Sequence, residues 1–405
     1  MRITPLKIEN YKEAKELLSA INVSSEGLRI LSAKSLSVAF KIEGIKSWEA
    51  NIIKQHLLSL GSDSAIERAA LVKNIKTTTI LFGNINQLKK LCEKLKNQPF
   101  SLKEISRKVS FYLDNLFKNE FIFKIKGKEL KIKQPVICGV INVTPDSFSG
   151  DGLLQYQISK IKYQKLLLEK VEGMIREGAK IIDVGGESTR PFSKPISEEE
   201  EIRRVIPPLK VIRRKFKEVL LSIDTYKFKV ARAAANEGVH IINDITALRN
   251  SPNIASLIEE YKLGCVLMHM KGSPRNMQIN PIYKNVVEDI IDFFEERLCF
   301  CEKQGIEKCQ LLLDPGIGFG KRLEDNLKII NELYKLKIFG LPVFLGLSRK
   351  SFIGDVLGVK VAEKRVLGTA VSNAIAYVKG ANILRVHDVK ETAQALKIAY
   401  SVLNN

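Results

Sequence analysis

Cysteine and long apolar runs are both scarce in this chain of 405 residues, and each scarcity excludes a class of protein. The six cysteines include no CxxC pair and are too few for a disulfide framework, so free thiols in a reducing compartment are expected. No apolar run approaches the roughly 18 residues of a membrane span, and the polar N-terminus is not a secretory signal. Hydrophobic residues make up 45% and charged residues 27%, as in globular proteins. We therefore predict a cytoplasmic globular chain of about two or three domains, without a membrane partner.

Long runs of one charge are also absent, although the net charge is +20. Residues 1–130 carry 23 basic and 13 acidic side chains and the remaining residues carry 42 and 32, so each part contributes +10. A basic chain can bind nucleic acid or attract an anionic substrate. Because the lysines are dispersed, an anionic substrate is favoured and a nucleic-acid partner is not expected.

Residues 1–130 show no catalytic constellation. The predicted elements are helices at 10–19, 46–60 and 86–97 and strands at 37–44 and 77–83. Ser101 and Glu104 have capping-box spacing, which predicts a further helix to about residue 118. We predict a small basic α/β or α+β domain of unknown role over 1–120. A β-hairpin is predicted over 121–134, where apolar and basic residues alternate around Gly127.

From residue 135 onwards, short apolar strands alternate with helices. The predicted strands are 136–142, 180–186, 220–224, 240–244, 265–270, 311–316, 342–348 and 383–388. Eight such units in about 270 residues predict a (β/α)₈ TIM barrel over 135–405, within the α/β class. A doubly wound open sheet is the alternative, but it usually has fewer strands, and GxGxxG is absent after the first strand.

Polar residues stand at the C-terminal end of every predicted strand. In a parallel barrel these ends share one rim, where the connecting loops build the active site. A single polar strand end is commonly a helix cap, but eight are hard to explain in that way. The residues concerned are Asn142, Glu187, Asp224, Asn243, Asp244, His269, Asp314, Ser348 through Lys350, Arg385 and His387.

The strand-end residues divide into two chemical sets. Asp224, Asn243 and Asp314 can donate and accept hydrogen bonds in one plane, which suits a flat heterocycle, with Lys350 and the loop Gly316–Gly320 completing the wall. The second set suits phosphate oxygens, because arginine binds them through a planar fork and an amide oxygen can ligate Mg²⁺. Its members are Asn142, Arg190, Arg385 and His387.

Simpler interpretations remain for several of these side chains. Asp224 and Asp314 could be plain helix caps and Asn243 a turn residue, although their shared rim argues against this. His269 could be a core histidine and Arg349 a member of an ion pair. His240 and Asp183 lie further back on their strands, so we interpret both as structural.

Seven motifs, taken together, resemble those of the dihydropteroate synthase family of the folate pathway. They are INVTPDSFS (141–149), GGESTRP (185–191), SIDTYK (222–227), INDI (242–245), DPGIGFGK (314–321), GLSRKSFIG (346–354) and RVHDV (385–389). The resemblance covers about 135–405. It implies a transferase that joins 6-hydroxymethyl-7,8-dihydropterin diphosphate to 4-aminobenzoate and releases diphosphate. It also implies a (β/α)₈ barrel, Mg²⁺ as cofactor and a homodimer.

The resemblance also implies roles for individual residues. The pterin residues would be Asp224, Asn243, Met268, Asp314 and Lys350. The diphosphate residues would be Asn142, Arg190, Arg385 and His387, with Asn142 also the metal ligand. The aminobenzoate residues would be Thr189, Pro191, Phe319 and Ser351. Catalysis would fall to Asp224, Asp314, Lys350 and Arg385, through an SN1-like loss of diphosphate that Mg²⁺ assists.

The chain departs from the family pattern at three places. The first loop has SFSGDG where SFSDGG is common, which displaces the loop acid Asp151 by one position. Phe192 follows Pro191 where glycine is usual, and the leader of about 130 residues is additional. Two alternatives stay open, a pterin-binding methyltransferase of the methyltetrahydrofolate–corrinoid type and a non-catalytic barrel whose basic leader binds nucleic acid. The loops 143–152 and 187–195 are expected to order over the substrates.

Overall fold

The computed structural model describes residues 1–143, 160–188, 193–274 and 276–404, and it divides into two compact units. The first comprises Met1–Lys118 with Ile338–Gly340, and the second comprises the remainder of the chain. Four short 3₁₀ helices occur among the described residues, at Arg68–Leu71, Lys308–Gln310, Leu333–Phe339 and Ala362–Arg365. No helix in these ranges combines the length and the apolar character that a membrane crossing requires.

The first unit is an antiparallel sheet packed with helices. Its helices are α1 (Tyr11–Ala20), α2 (Ser25–Ser35), α3 (Ser47–Ser59), α4 (Ile85–Leu95) and α5 (Leu102–Leu116), and its strands are β1 (Ser37–Lys46), β2 (Ser64–Ile66) and β3 (Lys76–Asn84). The strand order is β1–β3–β2. Alternate residues of β3 are buried, as a sheet with one solvated face requires. The apolar face packs on α3, α4 and α5 through Ile53, Leu81, Leu88 and Val109.

The predicted capping box at Ser101 is wrong. Ser101 does precede α5, but its hydroxyl makes no cap hydrogen bond. Instead, the Ser101 backbone N–H and hydroxyl donate to Oε1 of Glu49, at 3.0 and 2.6 Å. Glu49 is buried in α3, and an unpaired buried carboxylate would be costly, so a tertiary partner takes the hydroxyl away from the local cap.

The second unit is the predicted (β/α)₈ barrel. Its strands are β4 (Phe121–Ile125), β5 (Lys128–Ile132), β6 (Val136–Asn142), β7 (Ala179–Gly185), β8 (Leu220–Asp224), β9 (Ile241–Asp244), β10 (Gly264–Met268), β11 (Leu311–Asp314), β12 (Phe344–Leu345) and β13 (Ile383–Val386). Its helices are α6 (Lys160–Arg176), α7 (Glu198–Lys215), α8 (Phe228–Asn236), α9 (Ile254–Tyr261), α10 (Val286–Lys303), α11 (Leu323–Asn331), α12 (Ser351–Leu357), α13 (Val366–Val378) and α14 (Val389–Asn404).

Eight parallel strands form the barrel wall in the order β11–β10–β9–β8–β7–β6–β13–β12. A parallel bridge between Leu313 of β11 and Val343, directly before β12, closes the ring. The alternative of an open doubly wound sheet is therefore wrong. Nearly every wall residue is buried, which explains the continuous apolar runs in the sequence.

The hairpin of β4 and β5 packs against the N-terminal half of the barrel wall. Phe121, Phe123, Ile125 and Ile132 of the hairpin form one buried cluster with the inward residues of the strands. Gly264 begins β10 beneath the hairpin, and a Cβ atom there would lie 2.3 Å from Cζ of Phe123. Because this apolar cluster fills one end of the barrel, polar groups can converge only at the opposite end.

Candidate active site

Arg385 on β13 joins two carboxylates at the rim of the barrel. Its Nε donates to Oδ2 of Asp183 and its Nη2 donates to Oδ2 of Asp224, both at 2.7 Å. Parallel registration places Gly185 beside Asp224 and Asp224 beside Asn243 on adjacent strands. Residues that are 202 and 161 positions apart in sequence therefore meet at one point.

Asp183 also orients the predicted pterin residue Asn243. The Asn243 Nδ2 donates to the same Asp183 Oδ2 at 3.2 Å, so the amide presents its Oδ1, an acceptor, on the other side. Asp183 is fully buried, and its Oδ1 has no hydrogen-bond partner in the described part of the chain. From the sequence, Asp183 was interpreted as a structural residue. Its acidic side chain within an otherwise apolar barrel strand was the available signal of a role at the site.

Asp314 and Lys350 form the opposite wall with the glycine loop. The Asp314 Oδ1 accepts a hydrogen bond of 2.7 Å from the Gly316 N–H. The Lys350 Nζ donates to the carbonyl of Ile317 and lies 4.7 Å from the centre of the Phe319 ring. A Cβ atom at Gly316 would lie 2.0 Å from the carbonyl oxygen of His269, so this close approach requires glycine.

Burial moves the pKa values of these rim groups. It raises the pKa of Asp224, which Arg385 opposes, and it raises the pKa of Asp314, which Lys350 opposes. Burial lowers the pKa of Lys350 to about 8, and Asp314 opposes that shift. Buried groups of both signs with shifted pKa values, converging on one rim, indicate a functional site.

Asn142 and His387 lie together at the neighbouring part of the rim. The Asn142 Nδ2 and the His387 Nε2 are 3.4 Å apart. The His387 Nδ1 is 3.0 Å from the Ser348 hydroxyl, which also accepts from the His387 backbone N–H at 3.2 Å. With Arg385, these groups offer several donors to an anion. Arg349 is not part of this group, because its guanidinium forms a two-point ion pair with Asp388, at 2.9 and 2.5 Å.

Apolar side chains cover one side of the rim. The cluster comprises Ile245, Met268, Met270 and Met277, with Tyr226 and Phe319 packed against it. Beside it lies a cavity of about 400 Å³, whose lining includes Glu187, Arg249, Met268 and Phe293. Polar groups that converge beside an apolar wall suit a flat heterocycle.

Glu187 serves as an anchor for the second loop. Its carboxylate accepts from the Tyr226 hydroxyl at 2.7 Å, from the Lys227 Nζ at 2.5 Å and from the Ile196 N–H at 2.9 Å. The Lys227 Nζ also binds Glu201 at 2.7 Å. The sequence placed Glu187 with the strand-end groups, and the structure engages its carboxylate in this buried network.

Two further strand-end residues, Asp244 and His269, have structural partners, and so does His240 further back on its strand. The His240 Nδ1 accepts from the Leu221 N–H at 3.0 Å. Asp244 accepts from the N–H groups of Thr246 and Leu248, at 2.7 and 2.8 Å, as a turn cap does. The buried His269 has the Lys321 Nζ at 3.0 Å from its Nδ1. Lys321, which the sequence interpretation missed, directly follows the glycine loop, and burial lowers its pKa to about 7.

Part of the predicted site falls outside the described residues. This applies to Thr189, Arg190, Pro191 and Phe192, and to the first loop with Asp151. Ser351 is described and begins α12 as an exposed residue directly after Lys350. Within the described ranges, no cluster of three His, Cys, Asp or Glu side chains could hold a metal ion.

Comparison with known proteins gives a consistent result. A model of the family described as pterin binding enzyme matches residues 138–387. Dihydropteroate synthase of Escherichia coli strain K12 is 44% identical over 279 residues, which are 69% of this chain and 95% of that protein. Two solved structures cover nearly the same part. Yersinia pestis dihydropteroate synthase in complex with a sulfonamide drug has a TM-score of 0.65 and 40% identity, over 70% of this chain and 100% of that one. The Xanthomonas albilineans enzyme with 4-aminobenzoic acid has a TM-score of 0.64 and 36% identity, over 71% and 99%.

Proposed function

Because the chain belongs to the dihydropteroate synthase family of pterin-binding enzymes, we propose that it makes dihydropteroate from 6-hydroxymethyl-7,8-dihydropterin diphosphate and 4-aminobenzoate. One observation carries the proposal. A guanidinium on β13 joins carboxylates on β7 and β8, and the first of these also holds the amide on β9. A corrinoid methyltransferase would need no diphosphate site, and Asn142, Arg385 and His387 support one.

In this proposal, the pterin ring is held by hydrogen bonds in its own plane. The Asp224 carboxylate and the Oδ1 of Asn243 accept from ring N–H groups, while Lys350 donates to a ring acceptor. Asp314 completes the polar edge, and Met268 packs against a face of the ring. Exclusion of water by the bound substrates would strengthen each of these interactions.

The reaction then depends on departure of the diphosphate. An aryl amine is a weak nucleophile, so we propose an SN1-like path in which Arg385 and His387 bind the leaving diphosphate. Positive charge develops on the pterin methylene carbon and is stabilised by the carboxylates of Asp224 and Asp314. The C–O bond to diphosphate breaks, the amine of 4-aminobenzoate forms the new C–N bond, and its proton passes to the released diphosphate or to water. No covalent enzyme intermediate is required.

The donor set fits a magnesium ion that is held chiefly by the substrate. Asn142 offers a neutral amide oxygen, and Mg²⁺ commonly keeps several waters and binds through substrate phosphates, not through an all-protein cage. When bound, the ion would supply charge neutralisation at the departing diphosphate. The absence of a carboxylate cluster within the described ranges is compatible with this arrangement.

The aminobenzoate is proposed to lie outside the pterin, between Phe319 and Ser351 and the second loop with Thr189 and Pro191. Phe319 supports this position because its ring packs at the edge of the apolar cluster, beside Lys350. The Xanthomonas albilineans relative was solved with 4-aminobenzoic acid. Arg190 is proposed to approach the diphosphate from the same loop.

We also propose a homodimer built on α13 and α14. Leu367, Val371 and Ile375 recur on one face of α13 and are about half or more exposed, and Ile398 and Val402 are exposed on α14. An apolar helix face of this kind indicates a protein interface. Val371→Glu should give a monomer in sedimentation analysis, while Lys379→Glu at the end of α13 should leave the assembly unchanged.

A cytoplasmic location is proposed from the six free cysteines.

The function is tested by mixing purified protein with the pterin diphosphate, 4-aminobenzoate and Mg²⁺ and measuring dihydropteroate. We expect product from the wild type and a rate at least roughly a hundredfold lower from Asp224→Asn, because this variant lacks the pre-organised carboxylate that stabilises the developing cation. Asp63→Asn, an exposed change in the first unit, is the control. Wild-type protein that leaves 4-aminobenzoate unconsumed would refute the proposal.

A further inference from the structure

Lys321 is a buried cation that the proposed reaction does not use. The residue is 3% exposed, and among the described residues its Nζ forms hydrogen bonds but no ion pair with a carboxylate. The Nζ instead has three neutral partners, which are the His269 Nδ1 at 3.0 Å, the His269 carbonyl at 3.3 Å and the Phe319 carbonyl at 3.1 Å.

These contacts join two segments that carry the apolar wall of the site. His269 directly follows Met268 at the exit of β10, and Phe319 belongs to the glycine loop after β11. The two segments approach backbone to backbone, since a Cβ atom at Gly320 would lie 2.4 Å from the Lys271 carbonyl oxygen. Lys321 therefore fastens the Met268 side of the wall to the Phe319 side.

A buried ammonium without an ion-pair partner is unfavourable for the stability of the fold. The pKa of Lys321 is lowered to about 7, chiefly by burial and also by Lys350, while Asp314 and Asp325 oppose the shift. Burial and Lys321 also lower the pKa of His269, so its ring is neutral and its Nδ1 can accept from the ammonium. A well-packed apolar side chain would be at least as stable at such a position, which suggests that the lysine is retained for geometry.

We propose that Lys321 is a positioning residue for the pterin, fixing through His269 the separation between Met268 and Phe319 at which the flat ring fits. The proposal rests on the proposed function, because it takes the pterin as the ligand of this wall. Lys321 itself is not proposed to contact the pterin ring. It acts through the two backbone segments that it holds together.

The test compares Lys321→Met with Lys271→Met, a neighbouring exposed lysine whose ammonium lies over Tyr283. Binding of 6-hydroxymethyl-7,8-dihydropterin is measured by calorimetry without aminobenzoate, and unfolding is followed by heating. We expect Lys321→Met to weaken binding by about tenfold or more, with an unfolding midpoint no lower than that of the wild type. Lys271→Met should bind as the wild type does.

Two further variants separate positioning from general support. His269→Leu should weaken binding as Lys321→Met does, the double variant should lose no more than either single one, and His269→Asn, which keeps an acceptor, should recover part of the affinity. A lower unfolding midpoint with unchanged affinity, or additive losses in the double variant, would overturn the proposal. If Lys321→Met does not fold, Lys321→Gln gives the same comparison. Wild-type protein that does not bind the pterin would refute the proposed function instead.

Discussion

Arg385 holds two carboxylates with one guanidinium, and this sharing determines what the residue can do for a ligand. Its Nε and one N–H of Nη2 bind Asp183 and Asp224, and these are the two carboxylates it contacts in the described part of the chain. A guanidinium has five N–H donors, so about three are left for the oxygens of an anion. The carboxylates fix the plane of the group before the ligand arrives, which favours two-point binding of phosphate.

Arg385→Ala should therefore discriminate between two forms of the pterin. We expect the affinity for 6-hydroxymethyl-7,8-dihydropterin diphosphate to fall at least about tenfold more than the affinity for the alcohol without diphosphate. Only the diphosphate form has phosphate oxygens that the Arg385 guanidinium binds. Arg349→Ala is the matched control, since its guanidinium is engaged by Asp388. Calorimetric titration of both ligands measures the difference, and equal losses would place the anion site elsewhere.

Lys350 gives the site a pH dependence whose sign can be stated. Burial lowers the pKa of Lys350 to about 8, so the ammonium that donates to the pterin is present below that pH and is lost above it. The contribution of Lys350 to pterin affinity should be constant below about pH 8 and then fall about tenfold per pH unit. In Lys350→Arg, whose side chain stays charged throughout this range, the fall in affinity above pH 8 should disappear. Binding measured across the range checks this. If the fall persists in the arginine variant, it belongs to another group.

Two residues of the site were not assigned to it by the sequence interpretation. Asp183 and Lys321 lack a strand-end position, and each gains its role from a partner more than 50 positions away, Arg385 for the first and His269 for the second. By contrast, Asp224, Asn243 and Asp314 were recognisable because a parallel barrel brings every strand end to one rim. Their individual roles in binding and catalysis remain predictions.

Strands and helices were predictable where periodicity is strong and loops are short. The eight barrel strands begin within about two residues of their predicted positions, because continuous apolar runs between helices admit few other interpretations. In the first unit, α2 and β2 were missed. Strand β2 has only three residues, and α2 buries only Ser32, so neither presents a clear apolar pattern.

Gly264 shows how closely the β4–β5 hairpin meets the barrel. Gly264→Ala should destabilise the second unit by roughly 1–3 kcal/mol, because the added methyl would lie 2.3 Å from Phe123 Cζ and force repacking. Gly173→Ala is the control, since Gly173 lies in α6 and the added Cβ would have no atom within 4 Å apart from its chain neighbours and its own helix backbone. This change should be neutral or stabilising by up to about 1 kcal/mol. Denaturant titration of both variants gives the comparison. Equal free energies of unfolding would show that the hairpin accommodates the added methyl group without cost.

At the scale of the whole molecule, the boundary between the two units predicts where the chain can be shortened. A chain lacking residues 1–118 should retain measurable synthase activity, because every proposed site residue belongs to the second unit. Removing residues 1–133 should instead impair folding, since Phe121, Phe123, Ile125 and Ile132 leave the buried cluster. Product formation and circular dichroism of both truncations check this. A folded but inactive first truncation would show that the leader contributes to catalysis.

The hairpin cluster has a kinetic consequence as well. Because this cluster fills one end of the barrel, a ligand can reach the proposed pterin position only from the opposite end. The proposed aminobenzoate position lies nearer to that entrance. The deeper substrate must then enter first, and an aminobenzoate already seated would obstruct it. Steady-state kinetics should therefore follow a compulsory order of addition, with the pterin diphosphate leading.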